Sequence, residues 1–309
     1  MSNMWNPITI SNVLTGPPDT SKFLNRPGLK EHGSLYLSVI IPTYNRFHNL
    51  KRCLISVLNQ NRIPNEILII DGSDSDSIYS LYECFGDFIK IIKSDVGLTR
   101  QRNIGLKSLS NQAEIVLFLD DDLELELDYI EKIINCYEGD VKQRIGGVEG
   151  YPLIDGPHRR KSKSYPVYEQ RLSLYGCNMS YRVSKIRGEL FDENLKSYAW
   201  LEDLDFSLRI GRKSRLVRVN NAHCYHYTSP KARIGNRKYG YMQIANWYYL
   251  NKKNSLPGSI TANVFLYPFK NLIRLYDSRY RERFIGNMNA IYRILKYHHD
   301  PIKILQVNR

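Results

Sequence analysis

The chain has 309 residues, 42% of them hydrophobic, which is typical of a folded protein with room for one large α/β domain and an appendage. Lysine and arginine number 44 against 31 aspartates and glutamates, and the formal charge of +13 indicates an anionic partner such as a nucleotide, a lipid headgroup or nucleic acid. Because the sequence has no run of about 18 apolar residues, it excludes a helix that spans a bilayer.

The cysteines and the first residues bear on the cellular compartment. The five cysteines are far apart and form no Cys-x-x-Cys motif, which is typical of a reduced protein with buried thiols. Residues 1–20 lack a basic start followed by an apolar run, so we expect no secretory signal peptide. These features predict a cytoplasmic protein, either free or peripheral on the cytoplasmic face of a membrane.

Short apolar runs alternate with amphipathic stretches from Leu35 onward, after a proline-containing arm over residues 1–34. Such alternation predicts an α/β fold with a mostly parallel sheet covered by helices. The predicted elements are strand Leu35–Ile41, helix Phe47–Asn59, strand Glu66–Ile70, a weak helix Ile78–Phe85, strand Phe88–Ile92, helix Leu98–Leu109, strand Glu114–Leu119 and helix Leu127–Tyr137.

The pattern weakens after Gly150. Residues Tyr151–Tyr175 include three prolines and the basic run His158–Lys163, and we predict a long exposed loop there. A charge run is usually a solvated face, and contact with an anion or an acceptor is the alternative. The remaining predicted elements are strand Cys177–Val183, helix Glu202–Arg212, strands Leu216–Val219 and Ala222–Tyr227, and a mostly helical tail over Arg237–Arg309.

Three consecutive aspartates, Asp120, Asp121 and Asp122, follow the buried strand Glu114–Leu119. Like charges at the end of a buried strand require a compensating cation, and oxygen ligands suit Mg2+ or Mn2+. Ligands of open α/β sheets bind outside the carboxyl ends of the strands, where this cluster would lie. The alternative is an acidic turn that caps the next helix.

Other polar motifs follow the neighbouring predicted elements. Each is weak alone, because strand-to-helix turns commonly contain such residues. The motifs are Pro42-Thr43-Tyr44-Asn45-Arg46 after the first strand, Asp71-Gly72-Ser73-Asp74 after the second, and Ser94-Asp95-Val96-Gly97 before a helix that carries Arg102 and Asn103 in its first turns.

A separate acidic pair, Glu202 and Asp203, begins a later predicted helix. The apolar positions Leu201, Leu204 and Leu208 would face inward, so the two acids can project from the start of the helix toward a cleft. The alternative is a helix N-terminus whose acids favour the helix dipole.

In this order and spacing, over roughly residues 35–230, the motifs resemble the inverting family-2 glycosyltransferases with the GT-A fold. The resemblance implies a metal-dependent enzyme that moves a sugar from a UDP, dTDP or GDP donor to a hydroxyl of a saccharide or lipid-linked acceptor, in surface polysaccharide synthesis. The implied cofactor is Mn2+ or Mg2+. The commonest family form has two aspartates before the glycine, whereas this chain has Ile70-Asp71, which leaves the choice of base open.

The resemblance also implies roles for individual residues. Asp120 and Asp122 correspond to the Asp-x-Asp motif, with Asp120 near the ribose and Asp122 on the metal, and the middle Asp121 is expected to point away. Asp203 corresponds to the catalytic base, with Glu202 as its neighbour or an acceptor contact. The residues assigned to the nucleotide-sugar are Pro42, Thr43, Tyr44, Arg46, Asp71, Asp95, Arg102, Asn103, Asp120 and Asp121.

Two histidines fall in the predicted strand Ala222–Tyr227. Because His223 and His226 are out of phase in a strand, they cannot both face the cleft. Many members of the family have a histidine here near the metal or the phosphates, and His226 fits that pattern better because it ends the strand. A structural histidine is the alternative.

These expectations divide the chain into an arm (1–34), a GT-A catalytic domain (35–235) and a helical C-terminal extension (236–309). Within the domain, residues 35–125 would bind the nucleotide-sugar and residues 126–235 would supply the acceptor side and the base. Apolar stripes flanked by arginines in the extension suit helices packed on the domain, and also suit contact with an anionic membrane. The oligomeric state stays open.

Two rival functions were weighed against this one. A basic nucleic-acid-binding protein would explain the charge of +13 but not acids placed after buried strands, and no nucleic-acid-binding motif is present. A sugar-phosphate nucleotidyltransferase could use a related sheet and metal, but the chain has no glycine-rich basic loop after its first strand. We therefore expect no nucleic acid among the partners.

Overall fold

The computed structural model describes residues 35–154, 165–196, 199–227, 234–254 and 266–305. The predicted arm and the basic run His158–Lys163 lie outside these residues. In the described part, the centre of the molecule is one nine-stranded sheet. Its strands are β1 (Leu37–Thr43), β2 (Glu66–Asp71), β3 (Lys90–Lys93), β4 (Ile115–Phe118), β5 (Leu123–Leu125), β6 (Ile145–Ile154), β7 (Tyr168–Arg171), β8 (Met179–Arg182) and β9 (Arg215–His226).

Helices flank the sheet and continue past it. The amphipathic stripe of the first helix buries Leu50, Leu54 and Val57 against the sheet, as the spacing of its apolar residues predicts. The helices are α1 (Phe47–Leu58), α2 (Leu81–Phe85), α3 (Leu98–Lys107), α4 (Tyr129–Glu138), α5 (Val183–Ile186), α6 (Glu202–Gly211), α7 (Asn236–Asn254), α8 (Ser278–Tyr297) and α9 (Pro301–Leu305), and residues 266–272 are also helical.

The strands pair in the order β3-β2-β1-β4-β8-β6-β9-β5, with β7 also paired to β9. The first four are parallel, whereas β8 is antiparallel to both β4 and β6, and β9 is antiparallel to β5 and β7 but parallel to β6. The predicted α/β fold class is therefore confirmed, with parallel pairing concentrated in the first half of the sheet.

Strand β1 shows why the first half of the sheet could be predicted. All seven of its residues are buried. Val39 and Ile41 belong to the core on one face of the sheet, while Ile40 belongs to the core on the other face. A continuous apolar run is needed where helices cover both faces, and the sequence shows such a run here.

The predicted loop over Tyr151–Tyr175 is wrong in part, because β6 extends to Ile154 and β7 occupies Tyr168–Arg171. Strand β6 contains Gly146, Gly147 and Gly150, and glycine is depleted in strands. At Gly146 an added Cβ would lie 1.9 Å from Ser214 Oγ, so the strand needs glycine to approach its neighbour closely. The two short strands predicted near residues 216–227 form the single strand β9.

The tail is mostly helical in its described part, as predicted. Helix α7 packs Trp247 and Leu250 against Ala199 and Leu208, which lie just before and within α6. Lys253 Nζ lies 3.1 Å from Asp205 Oδ2 in α6, so an ion pair reinforces this apolar contact. Among the described helices, none combines the length and the apolar character that a membrane span requires.

Candidate active site

The parallel strands β1 and β2 bring polar residues to one edge of the sheet. Thr43 and Asp71 are paired in register at the ends of the two strands. Gln101 of α3 is buried and donates its Nε2 to the carbonyl oxygens of Thr43 and Ile70, both at 2.8 Å. Gln101 therefore ties the strand ends together, a role that an isolated glutamine in a helix does not reveal in the sequence.

Asp71 is fully buried, and its carboxylate organises the loop that follows it. Its Oδ1 accepts from the Ser73 amide at 2.8 Å, and its Oδ2 accepts from Lys93 Nζ at 3.1 Å. Sequence reasoning did not identify Lys93, although the register of β2 and β3 places it opposite Asp71. Farther out, the half-exposed Tyr44 donates its hydroxyl to Asp74 at 3.0 Å.

The middle aspartate of the acidic triplet faces the β1 turn. Asp121 accepts from Thr43 Oγ1 at 2.7 Å and from Arg46 at 2.6 Å. Burial raises the pKa of Asp121 to about 6, against the opposing effect of the Arg46 guanidinium. Through these two contacts, Asp121 links the end of β1 to the acidic turn.

Asp120 and Asp122, the two neighbours of Asp121, form a cluster with His226, the last residue of β9. One ligand atom from each of Asp120, Asp122 and His226 lies within 4.8 Å of the others. Asp122 Oδ2 accepts from Arg46 at 3.0 Å, while Asp122 Oδ1 lies 3.1 Å from His226 Nε2. Two carboxylates and an imidazole that converge in this way offer the oxygen and nitrogen ligands that fit a divalent cation.

The other histidine lies outside this cluster. His223 Nδ1 is 3.1 Å from Glu126 Oε2, and Tyr225 donates its hydroxyl to the other oxygen of Glu126 at 2.9 Å. As the phase of a strand predicts, His223 and His226 therefore have different surroundings.

Arg102 connects the acidic turn to the Glu202–Asp203 pair. Its side chain is 1% exposed, and its NH1 donates to Glu202. Its NH2 donates to Asp120 Oδ1 at 3.2 Å and to the Gly176 carbonyl at 2.8 Å. One buried guanidinium thus fixes three acceptors from distant parts of the chain, which suits the planar fork of arginine.

Glu202 and Asp203 occupy the first positions of α6. Asp203 Oδ2 accepts from the Gly176 amide at 2.9 Å, and its Oδ1 accepts from the Leu204 amide at 2.8 Å. Burial, followed by the charge of Asp203, raises the pKa of Glu202 to about 8, and burial also raises the pKa of Asp203. Gly176 fits here because an added Cβ would lie 3.0 Å from Glu202 Oε1 and 3.2 Å from Asp203 Oδ2.

Other residues predicted at the nucleotide-sugar have different surroundings. Asn103 is buried and donates its Nδ2 to the Phe191 carbonyl and to Glu193, each at 2.9 Å, so it braces a loop. The side chain of Asp95 is 81% exposed and pairs with Arg100 at 2.7 Å. Pro42 lies within β1, in register with Ile70 of β2.

Comparison with known families identifies the chain. The model of glycosyl transferase family 2 matches residues 38–192, which contain the β1 turn, Asp71, Arg102 and the three aspartates. The chain belongs to glycosyl transferase family 2. The match ends before Glu202–Asp203, so the assignment of a base within that pair is a proposal.

Curated relatives support this family membership. The chain is 29% identical over 157 residues to the glycosyltransferase AglE of Haloferax volcanii, covering 48% of this chain and 51% of the relative. It is 34% identical over 114 residues to the Staphylococcus aureus poly(ribitol-phosphate) beta-N-acetylglucosaminyltransferase TarP, covering 32% of each. The chain spans 16%, 51% and 24% of the length of three curated relatives it matches.

Solved structures show the same fold. S. aureus TarS 1-349 in complex with UDP-GlcNAc matches with a TM-score of 0.52 at 18% identity, over 74% of this chain and 70% of that one. GalNAc-T7 with UDP, GalNAc and Mn2+ matches with a TM-score of 0.55 at 16% identity, over 75% of this chain and 54% of that one. Because these sequence identities are low, the structural similarity establishes the GT-A-like fold alone.

Proposed function

We propose that the protein is a metal-dependent, inverting glycosyltransferase that uses a nucleoside-diphosphate-sugar donor. The observation that supports this proposal is that Arg102 links the metal-fitting cluster to the residue before the proposed base. Asp120 of the cluster and Glu202, the neighbour of Asp203, contact the same guanidinium. This shared contact brings the acidic turn and the start of α6 together, which supports a single site.

The donor would bind along the edge formed by β1, β2 and the acidic turn. Thr43, Tyr44 and Asp71 would hold the nucleotide base, and Arg46 beside Asp122 would face the phosphates. TarS was crystallised with UDP-GlcNAc and GalNAc-T7 with UDP, so a uridine nucleotide is the first donor to test. The dTDP and GDP sugars remain in the proposal, because Ile70-Asp71 departs from the commonest family pattern.

Asp122 and His226, with Asp120 beside them, would hold Mn2+ or Mg2+. The donor set of carboxylate oxygens and imidazole nitrogen suits such an ion. A divalent ion bound there would neutralise the charge that develops on the departing nucleoside diphosphate. Arg46 would add positive charge on the same side, since its guanidinium already contacts both Asp121 and Asp122.

Asp203 would be the general base. Each of its oxygens accepts one backbone hydrogen bond, which leaves lone pairs for the hydroxyl of an acceptor. Its raised pKa makes it a stronger base than an ordinary aspartate. Glu202 is engaged by Arg102, so we assign it to positioning. With one base and direct attack on the anomeric carbon, transfer inverts the configuration.

The test is a donor screen by release of nucleoside diphosphate. UDP-, dTDP- and GDP-sugars are incubated with the protein and saccharide acceptors, with Mn2+, Mg2+ or EDTA. We expect release with one nucleotide class, its abolition by EDTA, and a product of inverted configuration by NMR. Retained configuration, or full activity in EDTA, would contradict the proposal. The acceptor, a saccharide or lipid-linked saccharide of a surface polysaccharide, would be identified in the same screen.

We also propose the division into a catalytic domain over 35–235 and a C-terminal extension over 236–309 that contacts an anionic membrane. Residues 266–276 expose large apolar side chains at helical spacing, with Lys270 and Arg274 between them and no acid. An apolar face with basic neighbours has the charge pattern of an amphipathic helix on anionic lipid. The exposed residues are Leu266, Phe269, Leu272, Ile273 and Tyr276.

Co-sedimentation with vesicles tests the membrane contact. We expect binding to phosphatidylglycerol vesicles, weak binding to phosphatidylcholine vesicles, and loss of binding when Phe269 and Ile273 are both changed to serine. Val141→Ser is the control, because Val141 is 89% exposed but lies far along the chain from the extension. Equal sedimentation of the double variant and the control would contradict the proposal, and a dimer in solution would identify a second copy as the partner.

A further inference from the structure

One buried acid, Glu149, lies outside the motifs described above. Glu149 is in the middle of β6 and has no exposed surface. A carboxylate in a sheet interior is costly unless it is paired and hydrogen-bonded. Arg218 of β9 supplies the pairing, with its Nε at 2.7 Å and its NH2 at 2.6 Å from Glu149 Oε1, and Arg171 of β7 approaches the same oxygen at 3.4 Å.

The second oxygen of Glu149 holds the backbone that leads to the base. Glu149 Oε2 accepts from the amide of Tyr175, the residue before Gly176. The arginines on Oε1 leave Oε2 for this bond alone among the described contacts. Glu149 therefore fixes one end of a short segment, residues 175–177, through a fully buried acceptor oxygen.

Residues 175–177 contact each functional part of the site through the backbone. The Gly176 amide donates to Asp203 Oδ2 at 2.9 Å, and the Gly176 carbonyl accepts from Arg102 at 2.8 Å. The carbonyl of the next residue, Cys177, accepts from the amide of Asp120 at 2.9 Å. The segment thus joins the base, the buried arginine and the acidic turn, and a shift of its backbone would move all three.

We infer that Glu149 is a positioning residue for sugar transfer, acting on Asp203 through the Tyr175–Gly176 peptide. The inference rests on the proposed function and extends it to a residue that touches no reactant. The alternative is that Glu149 only pairs with arginines in the sheet. The two roles differ because positioning predicts a loss of turnover in each folded molecule, whereas pairing alone predicts a loss of folded protein.

Glu149→Gln tests the inference by removing the charge while keeping the size of the side chain. The amide has one accepting oxygen, and the charged Arg218 guanidinium is the stronger donor to it. The NH2 group then turns toward the Tyr175 amide, which loses its acceptor, so the 175–177 segment loses its fixed position. We expect kcat per folded molecule to fall about 10- to 100-fold, with KM for the donor within about twofold, because a small misplacement of a reacting group has an effect of this size.

Two further variants make the test decisive. Glu149→Asp keeps the charge but shortens the side chain, and should give a similar loss of kcat even if Glu149→Gln folds poorly. Glu169→Gln is the matched control, since Glu169 also pairs with Arg171 but is half-exposed and contacts no residue of the segment among its described bonds. Its kcat should be unchanged.

Hydrogen exchange gives a readout that does not need activity. The Tyr175 and Gly176 amides should exchange faster in both Glu149 variants than in the wild type and the Glu169 control, at equal global stability. Unchanged kcat and unchanged exchange in the Glu149 variants, with an active wild type, would overturn this inference alone. A wild-type protein that transfers no sugar would overturn the proposed function together with it.

Discussion

The two halves of the site are built in different ways. On the donor side, contacts such as those of Thr43 with Asp121 and of Lys93 with Asp71 join the ends of adjacent parallel strands or the turns that follow them. On the base side, Glu202 is held by a residue 100 positions earlier in the chain, and Asp203 by one 27 positions earlier. Strand pairing in the sheet forms the donor side, whereas a few polar contacts outside the strand pairing position the base.

This difference predicts different responses to mutation. Removing one donor-side group should weaken nucleotide binding without unfolding the site, because the neighbouring strands still hold the edge of the sheet in place. Changing the base side should reduce turnover while nucleotide binding stays intact. Arg102 belongs to both halves, so its loss should also affect folding.

The largest effect is expected for Asp203→Asn. The amide cannot accept a proton at neutral pH, so kcat should fall about 10^2- to 10^4-fold, the usual contribution of a general base. Calorimetry with nucleoside diphosphate and Mn2+ should show an affinity within about twofold of the wild type. Asp300→Asn, at a 45% exposed side chain in the C-terminal extension, is the control. Normal turnover in Asp203→Asn would remove that residue from the role.

Arg102→Met should give the next largest effect, on folding. It leaves Glu202, Asp120 and the Gly176 carbonyl without their shared buried donor, and breaking a buried polar network in this way reduces the free energy of unfolding by about 3–5 kcal/mol. Arg100→Gln is the matched control, because Arg100 lies nearby in the same helix, is 48% exposed, and should change stability by less than about 0.5 kcal/mol. Urea unfolding measures both, and equal losses would contradict the role of Arg102.

A third prediction separates the two histidines. His226→Gln should weaken Mn2+-dependent nucleotide binding by about 10- to 100-fold, since it removes a group of the metal-fitting cluster. His223→Gln should leave that binding unchanged, because His223 faces Glu126. Calorimetry with Mn2+, repeated in EDTA, checks both variants. If the two variants bind alike, His226 has no part in the metal site.

The last prediction concerns the pH dependence of stability. Burial raises the pKa of Glu202 from its ordinary 4.5 to about 8, so between these values the folded protein keeps a proton that the unfolded chain has lost. Stability should therefore fall as pH rises through this window, by up to about 1.4 kcal/mol per pH unit, and level off above it. Glu202→Gln should remove this slope in urea unfolding at pH 5, 6.5 and 8. Parallel curves for the two proteins would contradict the shift.

The donor side could be predicted because its determinants are local. Apolar runs such as β1 end at polar turns, and the parallel topology brings those turns to one edge. The triplet Asp120 to Asp122 was identified in this way. The sequence pattern does not show which side chain each of the three carboxylates contacts. The contacts of Asp121 with Thr43 and Arg46 are therefore seen only in the structure.

The base side was harder to predict because its supports have no local signal. Gly176 resembles an ordinary loop residue, and its role follows from its backbone contacts with Arg102 and Asp203, 74 and 27 positions away in the sequence. Strand β6 was missed because it contains glycines that allow close packing, and with it the buried Glu149 was missed. The sequence signal that could have drawn attention to Glu149 is a single charged residue placed between Val148 and Gly150, because a charged residue among apolar and small ones is rarely buried without a partner.

The most direct test of a single site shared by both halves is a crystal structure with Mn2+ and a nucleoside-diphosphate sugar, with the ion located by anomalous scattering. We predict an anomalous peak at Asp122 and His226, the nucleotide along Thr43 and Asp71, and the sugar on the side of Asp203. An ion bound elsewhere, or a sugar turned away from Asp203, would contradict this prediction.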